Sequence, residues 1–87
     1  MSTILSETDA GALGAARVVD ARGLSCPMPV VKTAKAMKSL APGQVLKLMA
    51  TDLGSVKDVP AWAQGTGNEL VATEEGGGVF TFYLRKS

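Results

Sequence analysis

The chain has 87 residues, with nine Lys and Arg against eight Asp and Glu, one Cys and no His. That length allows one small domain, and this inventory excludes an internal disulfide, a Cys/His zinc cluster, a Ser-His-Asp triad and a Cys-His dyad. A formal charge of +1 gives no broad electrostatic footprint for nucleic acid, and 46% hydrophobic residues are too many for a disordered chain.

Residues 1–16 are rich in Ala, Gly, Ser and Thr, carry Glu7 and Asp9, and contain no Lys or Arg. They read as a flexible N-terminal tail. A secretory signal would need a basic start and a longer apolar stretch, and no run in the chain is long enough to span a bilayer. With its lone Cys, the chain therefore reads as cytoplasmic, with no membrane partner. Residues 17–87 form the expected domain, and their nine basic against six acidic residues make it mildly basic, at +3.

Arg17–Ala21 is short and β-branched, which predicts a strand. Pro27–Ala41 follows as a helix, with Val30, Ala34, Met37 and Ala41 recurring at helical spacing, and Pro42-Gly43 stops it. Gln44–Thr51 is a second strand, with Leu46, Leu48 and Ala50 toward the core and Lys47 outward. Leu53–Gln64 is a second helical segment. Its start is ambiguous: Ser55 with Asp58 forms a capping box but leaves Pro60 in the interior, whereas Asp58 as N-cap puts Pro60 in the first turn. The second option is preferred here, with a turn at 54–57. Asn68–Glu75 and Val79–Lys86 are strands joined by Gly76-Gly77-Gly78 as a hairpin. The order βαβαββ predicts an α/β (α+β) two-layer sandwich, a four-stranded mixed sheet with both helices on one face. The helix-free face would carry Val45, Met49 and Tyr83.

Cys26 lies in Gly23-Leu24-Ser25-Cys26-Pro27-Met28-Pro29, between the first strand and the first helix. Most lone cysteines are small buried hydrophobes. A Cys just before a helix start, however, faces the unpaired N–H groups of the first turn, which favour the thiolate. Pro27 and Pro29 stiffen that platform without losing helical hydrogen bonds. Activation of this kind requires no base. With no second Cys to form a disulfide, a sulfur atom taken up as Cys-S-SH must leave to another molecule, so the residues favour a relay over a self-contained oxidoreductase.

Asp20-Ala21-Arg22-Gly23-Leu24-Ser25-Cys26-Pro27-Met28-Pro29 resembles the signature of the TusA/SirA family of sulfur-carrier proteins, whose hallmark is C-P-x-P. Thr51-Asp52-Leu53-Gly54-Ser55-Val56-Lys57-Asp58-Val59-Pro60 and then Gly67-Asn68-Glu69-Leu70 match in the same order, so the resemblance runs from about Arg17 to Lys86. It implies a βαβαββ sandwich and a sulfurtransferase that carries a persulfide on Cys26. It also implies a sulfur-donor protein (a cysteine desulfurase or a rhodanese-like protein), a sulfur-acceptor protein and no cofactor. Destinations of sulfur in the family include tRNA 2-thiolation, molybdenum-cofactor-related supply and sulfur oxidation. The chain departs from the pattern in having Met28 where many tRNA-thiolation members have an acidic residue, Leu53 after Asp52 where Pro is frequent, and Asn68 where His is frequent. Trp62-Ala63 stands where some members carry another Cys.

Around the thiol, Gly23 shapes the loop, and Arg22 is a candidate to steady a persulfide anion. Met28 is a candidate contact for a partner. Lys32, Lys35 and Lys38 read as one side of the first helix, either a solvated face or a docking surface for an acidic partner. Asp52 and Asp58 are explained by turns and capping rather than as a catalytic carboxylate pair. Trp62 and Met37 read as core. A non-enzymatic interaction module using the open sheet face is the competing function. Direct nucleic-acid binding is disfavoured by having only four aromatic residues and no basic stripe. No metal is expected, and the isolated chain is expected to be a monomer.

Overall fold

The computed structural model describes residues 15–87, so the expected tail lies outside the described residues up to position 14. Six elements follow in the order β1 (Ala15–Ala21), α1 (Met28–Met37), β2 (Val45–Ala50), α2 (Ser55–Thr66), β3 (Glu69–Gly76) and β4 (Val79–Arg85). The strands form one mixed sheet in the order β1-β2-β4-β3. β1 and β2 are parallel, and β4 runs antiparallel to both β2 and β3. The expected two-layer α+β sandwich is the observed one, and β1 begins two residues earlier than its β-branched stretch indicates.

Alternation along the strands decides which face is covered. Val19, Ala21, Leu46, Leu48, Phe82 and Leu84 point toward the helices and join Ala36, Met37, Leu40, Val59 and Ala63 in one core; Leu24, Val30, Trp62, Leu70 and Phe80 pack against it. On the other face, Val45 and Tyr83 are each 1% exposed, and the Lys47 ammonium lies 6.0 Å from the Tyr83 ring centroid. The β3–β4 hairpin turns through Gly77 and Gly78, both at positive φ (+60° and +81°), as a two-residue turn matched to strand twist requires.

Both helices differ from their sequence-based bounds. α1 ends at Met37 rather than Ala41 because its last turn tightens: Ser39 N–H bonds Ala36 O, and Leu40 N–H bonds Met37 O. The freed carbonyls are also met by side chains, Ser39 Oγ donating to Ala36 O and Lys86 Nζ to Met37 O. Its buried stripe is Pro29, Thr33, Ala36 and Met37, one register from the expected Val30/Ala34/Met37/Ala41 set, because Pro29 is pressed onto the core and Ala41 is exposed. α2 starts at Ser55, so Pro60 is interior and Asp58 is not its N-cap. The burial of Val59 and Ala63, four residues apart on one face, outweighs the one hydrogen bond that Pro60 cannot make. The turn before it is set by Asp52, whose Oδ2 accepts from Gly54 N–H at 3.1 Å. Among the described residues, no helix is long and apolar enough to cross a membrane.

Candidate functional site

Two parallel strands deliver both of their following loops to the same end of the sheet. β1 leads into the Arg22–Pro27 loop and α1, whereas β2 leads into Thr51–Gly54 and α2. The two loops are tied together by Gly23 N–H donating to Thr51 Oγ1 at 2.9 Å. Gly23 turns at φ +82°, and Leu24 N–H closes the turn onto Ala21 O. Cys26 therefore stands exposed beside Asp58 in the first turn of α2, 32 residues further along the chain.

Pro27 is the N-cap of α1, Met28 its first residue and Pro29 its second. The Cys26–Pro27 peptide is cis. Pro29 is fully buried, while Met28 is 43% exposed. The platform is thus anchored through Pro29 and presents Met28 to solvent beside the thiol.

The Cys26 thiol donates a hydrogen bond to Asp58 Oδ2 in the first turn of α2. This contact changes the electrostatics that the sequence suggests. The carboxylate beside the sulfur raises the thiol pKa above its ordinary value, chiefly through that hydrogen bond, then through desolvation and the negative charges of Asp58 and Asp52. The expected thiolate at a helix tip is therefore corrected. A full negative charge in contact outweighs the partial positive charge of a helix end. Asp58 and Asp52 are also more than cap and turn residues, since both act on Cys26.

Gly54 explains how three side chains fit. A Cβ there would come 2.8 Å from Asp52 Oδ2, 3.6 Å from Cys26 Cβ and 3.8 Å from Asp58 Oδ2. Its φ of −62° is open to any residue, so the requirement is space rather than backbone freedom. Asp58 and Gly54 were legible as part of the second matching segment, but nothing local assigns them to the thiol.

Other expected residues are placed differently. Arg22 forks onto Asp20, with Nε to Oδ1 and Nη2 to Oδ2 each at 2.8 Å, while its backbone N–H also reaches Oδ1. That pairing depresses the Asp20 carboxyl to about 2 and engages the guanidinium expected to steady a persulfide. Lys32, Lys35 and Lys38 are exposed but do not share one face. Steps of three residues rotate each about 60° back from the last. Lys32 and Lys35 line a shallow concavity with Arg17 and Val18 of β1, whereas Lys38 borders a different one with Trp62 and Lys86. Among the described residues, no cluster of three metal-ligating side chains occurs.

The fold and site define a small α+β sandwich with one exposed thiol at the end of a parallel strand pair. The family described as "Sulfurtransferase TusA" matches residues 17–86, and the chain belongs to that family. It is 54% identical over 69 residues to YrkF of Bacillus subtilis, spanning 79% of this chain but 37% of that protein. It is 49% identical to the sulfur carrier protein TusA of Allochromatium vinosum, over 79% of this chain and 91% of the relative. A SirA-like protein from Desulfitobacterium hafniense shares the fold, with a TM-score of 0.71 and 26% identity over 79% of this chain and 95% of its own. The protein is a sulfur carrier, a role that implies a sulfur donor and a sulfur acceptor.

Proposed function

We propose that Cys26 is the residue that bears the sulfur, holding it as a persulfide between a donor and an acceptor protein. The observation that carries this reading is the exposure of the chain's sole thiol within the family-matched region, on a platform anchored by buried Pro29. The reaction is a sulfurtransferase half-reaction, run forward from the donor and again toward the acceptor. A cysteine desulfurase or a rhodanese-like protein fits as donor, because both present sulfane sulfur on a sulfur atom that a thiol can attack. Gly23, Pro27 and Pro29 support the loop. Met28 offers an apolar contact beside the sulfur, and Lys32 with Lys35 offers positive charge to an acidic partner; Lys38 serves a separate surface.

Incubation with a desulfurase and cysteine, or with a rhodanese and thiosulfate, should add the mass of one sulfur atom to the intact protein. Cys26→Ser should remove that gain. A wild-type protein that gains no sulfur from either system would exclude the relay. The competing module on the open sheet face is disfavoured by the burial of Val45 and Tyr83 there, and it predicts partner binding that Cys26→Ser leaves unchanged.

A further inference from the structure

The sulfur-carrier reading leaves open how a thiol with no His nearby loses its proton, and the second helix supplies a group for this. Asp58 Oδ2 is in hydrogen-bond contact with Cys26 Sγ, and it is half-buried rather than free in solvent. Gly54 keeps the space beside them open, and Asp52, held in its own turn through Gly54 N–H, adds a second negative charge. On the β1 side, the charged pair Asp20–Arg22 is closed on itself, and Lys32 of α1 acts on Asp20. The groups acting on the thiol are therefore two carboxylates, one of them in contact.

Resting on the persulfide reading above, we propose that Asp58 is the proton acceptor of the sulfur transfer, holding the Cys26 thiol protonated in the free protein and taking its proton as Sγ bonds to the incoming sulfur. In the transfer, the Cys26 sulfur attacks the terminal sulfur of a donor persulfide R–S–SH. A Sγ–S bond forms, the donor S–S bond breaks with its electron pair going to R–S⁻, and the Cys26 proton passes to Asp58. The proton then moves from Asp58 through solvent to the leaving thiolate, giving Cys26–S–SH and R–SH with no net oxidation or reduction. A carboxylate in hydrogen-bond contact is within the reach required of a general base.

The loaded state follows from the same geometry. Sγ bonded to sulfur has no proton to donate, so the hydrogen bond to Asp58 is lost. Once ionised, the persulfide faces Asp58 and Asp52, and like-charge repulsion turns its terminal sulfur outward, toward an acceptor. The same contact keeps the empty thiol poorly reactive toward small electrophiles.

Asp58→Asn tests this by two readouts that move in opposite directions. Alkylation of Cys26 by iodoacetamide, followed from about pH 6 to 10, should shift to lower pH and quicken by about 3- to 10-fold near pH 7, because the anion is gone. Sulfur uptake from a persulfidated desulfurase should slow by about 10-fold or more, because the base is gone. Asp58→Glu should restore both in part, and circular dichroism should show that the fold is kept. An unchanged alkylation profile, or uptake that is unchanged or rises in step with alkylation, overturns the proposal. Failure of the wild-type protein to take up any sulfur would instead overturn the carrier reading. The two failures are separable, because the alkylation profiles of wild type and Asp58→Asn would still differ.

Discussion

Two neighbouring stretches at one end of the sheet, where Ala21, Ala50, Gly76 and Val79 all lie, are built by different rules. Toward the β3 edge, the β3–β4 hairpin turns through Gly77-Gly78, and everything needed to form it lies within a few consecutive residues. Toward the β1 edge of the same end, the parallel strands β1 and β2 stop side by side. There the loops after them bring together Cys26, Asp52, Gly54 and Asp58 from separate parts of the chain. A tight antiparallel turn is a local solution with little room for a site. Because β1, β2 and β3 all run the same way, β1 and β2 must each lead into a crossover helix, so two helix starts and two loops meet toward one edge, and side chains distant in sequence become neighbours.

The largest expected effect separates function from folding. Cys26→Ser should abolish sulfur loading by intact-protein mass, yet shift unfolding free energy by no more than about 0.5 kcal/mol, since the side chain is exposed and outside the core. Leu48→Ala inverts this. Leu48 is 0% exposed in the core, and the truncation should cost about 2–5 kcal/mol in urea unfolding. Protein that remains folded should still accept sulfur.

Gly78→Ala and Gly54→Ala compare the two stretches directly. At Gly78 the added methyl group has open space but a φ of +81°, so the change should cost about 1 kcal/mol of stability and leave loading intact. At Gly54 the backbone is ordinary, but the methyl group meets the Asp52 carboxylate. The expected outcome is a shifted pH profile of Cys26 alkylation with a smaller stability loss than at Gly78. Equal effects of the two substitutions on loading would break the contrast.

Smaller effects are expected from charge. Lys32→Glu with Lys35→Glu should slow sulfur uptake from an acidic donor several-fold at low salt and less at high salt, whereas Lys38→Glu should do little. Asp20 has the smallest effect. Its carboxyl is lowered from 3.8 to about 2 in the folded chain, so its stabilising contribution is present above the unfolded value and lost as pH falls from near 4 toward 2. The pair is half-exposed, so the contribution is slight; Asp20→Asn should reduce the drop in urea midpoint between neutral and acid pH.

Much of the frame was legible residue by residue. Strand alternation in Leu46-Lys47-Leu48 and Phe80–Leu84 has period 2 regardless of context, and the run of glycines before Val79 admits a turn closed to most residues. Helix bounds were less legible. The cost of Pro60 inside α2 is a local quantity, while the burial of Val59 and Ala63 that overrides it depends on the sheet beneath.

The composition counted at the outset, one Cys and no His, was enough by itself to limit the chemistry to a single thiol that must pass its cargo on. The order of strands and helices was likewise determined by periodicity and turn residues. What only the tertiary structure decided is the electrostatic state of that thiol. From sequence, Cys26 sits before a helix and belongs to its positive end. In the fold, the parallel crossover sets Asp58 against it, and a whole charge in contact prevails over the fractional charge of a helix terminus.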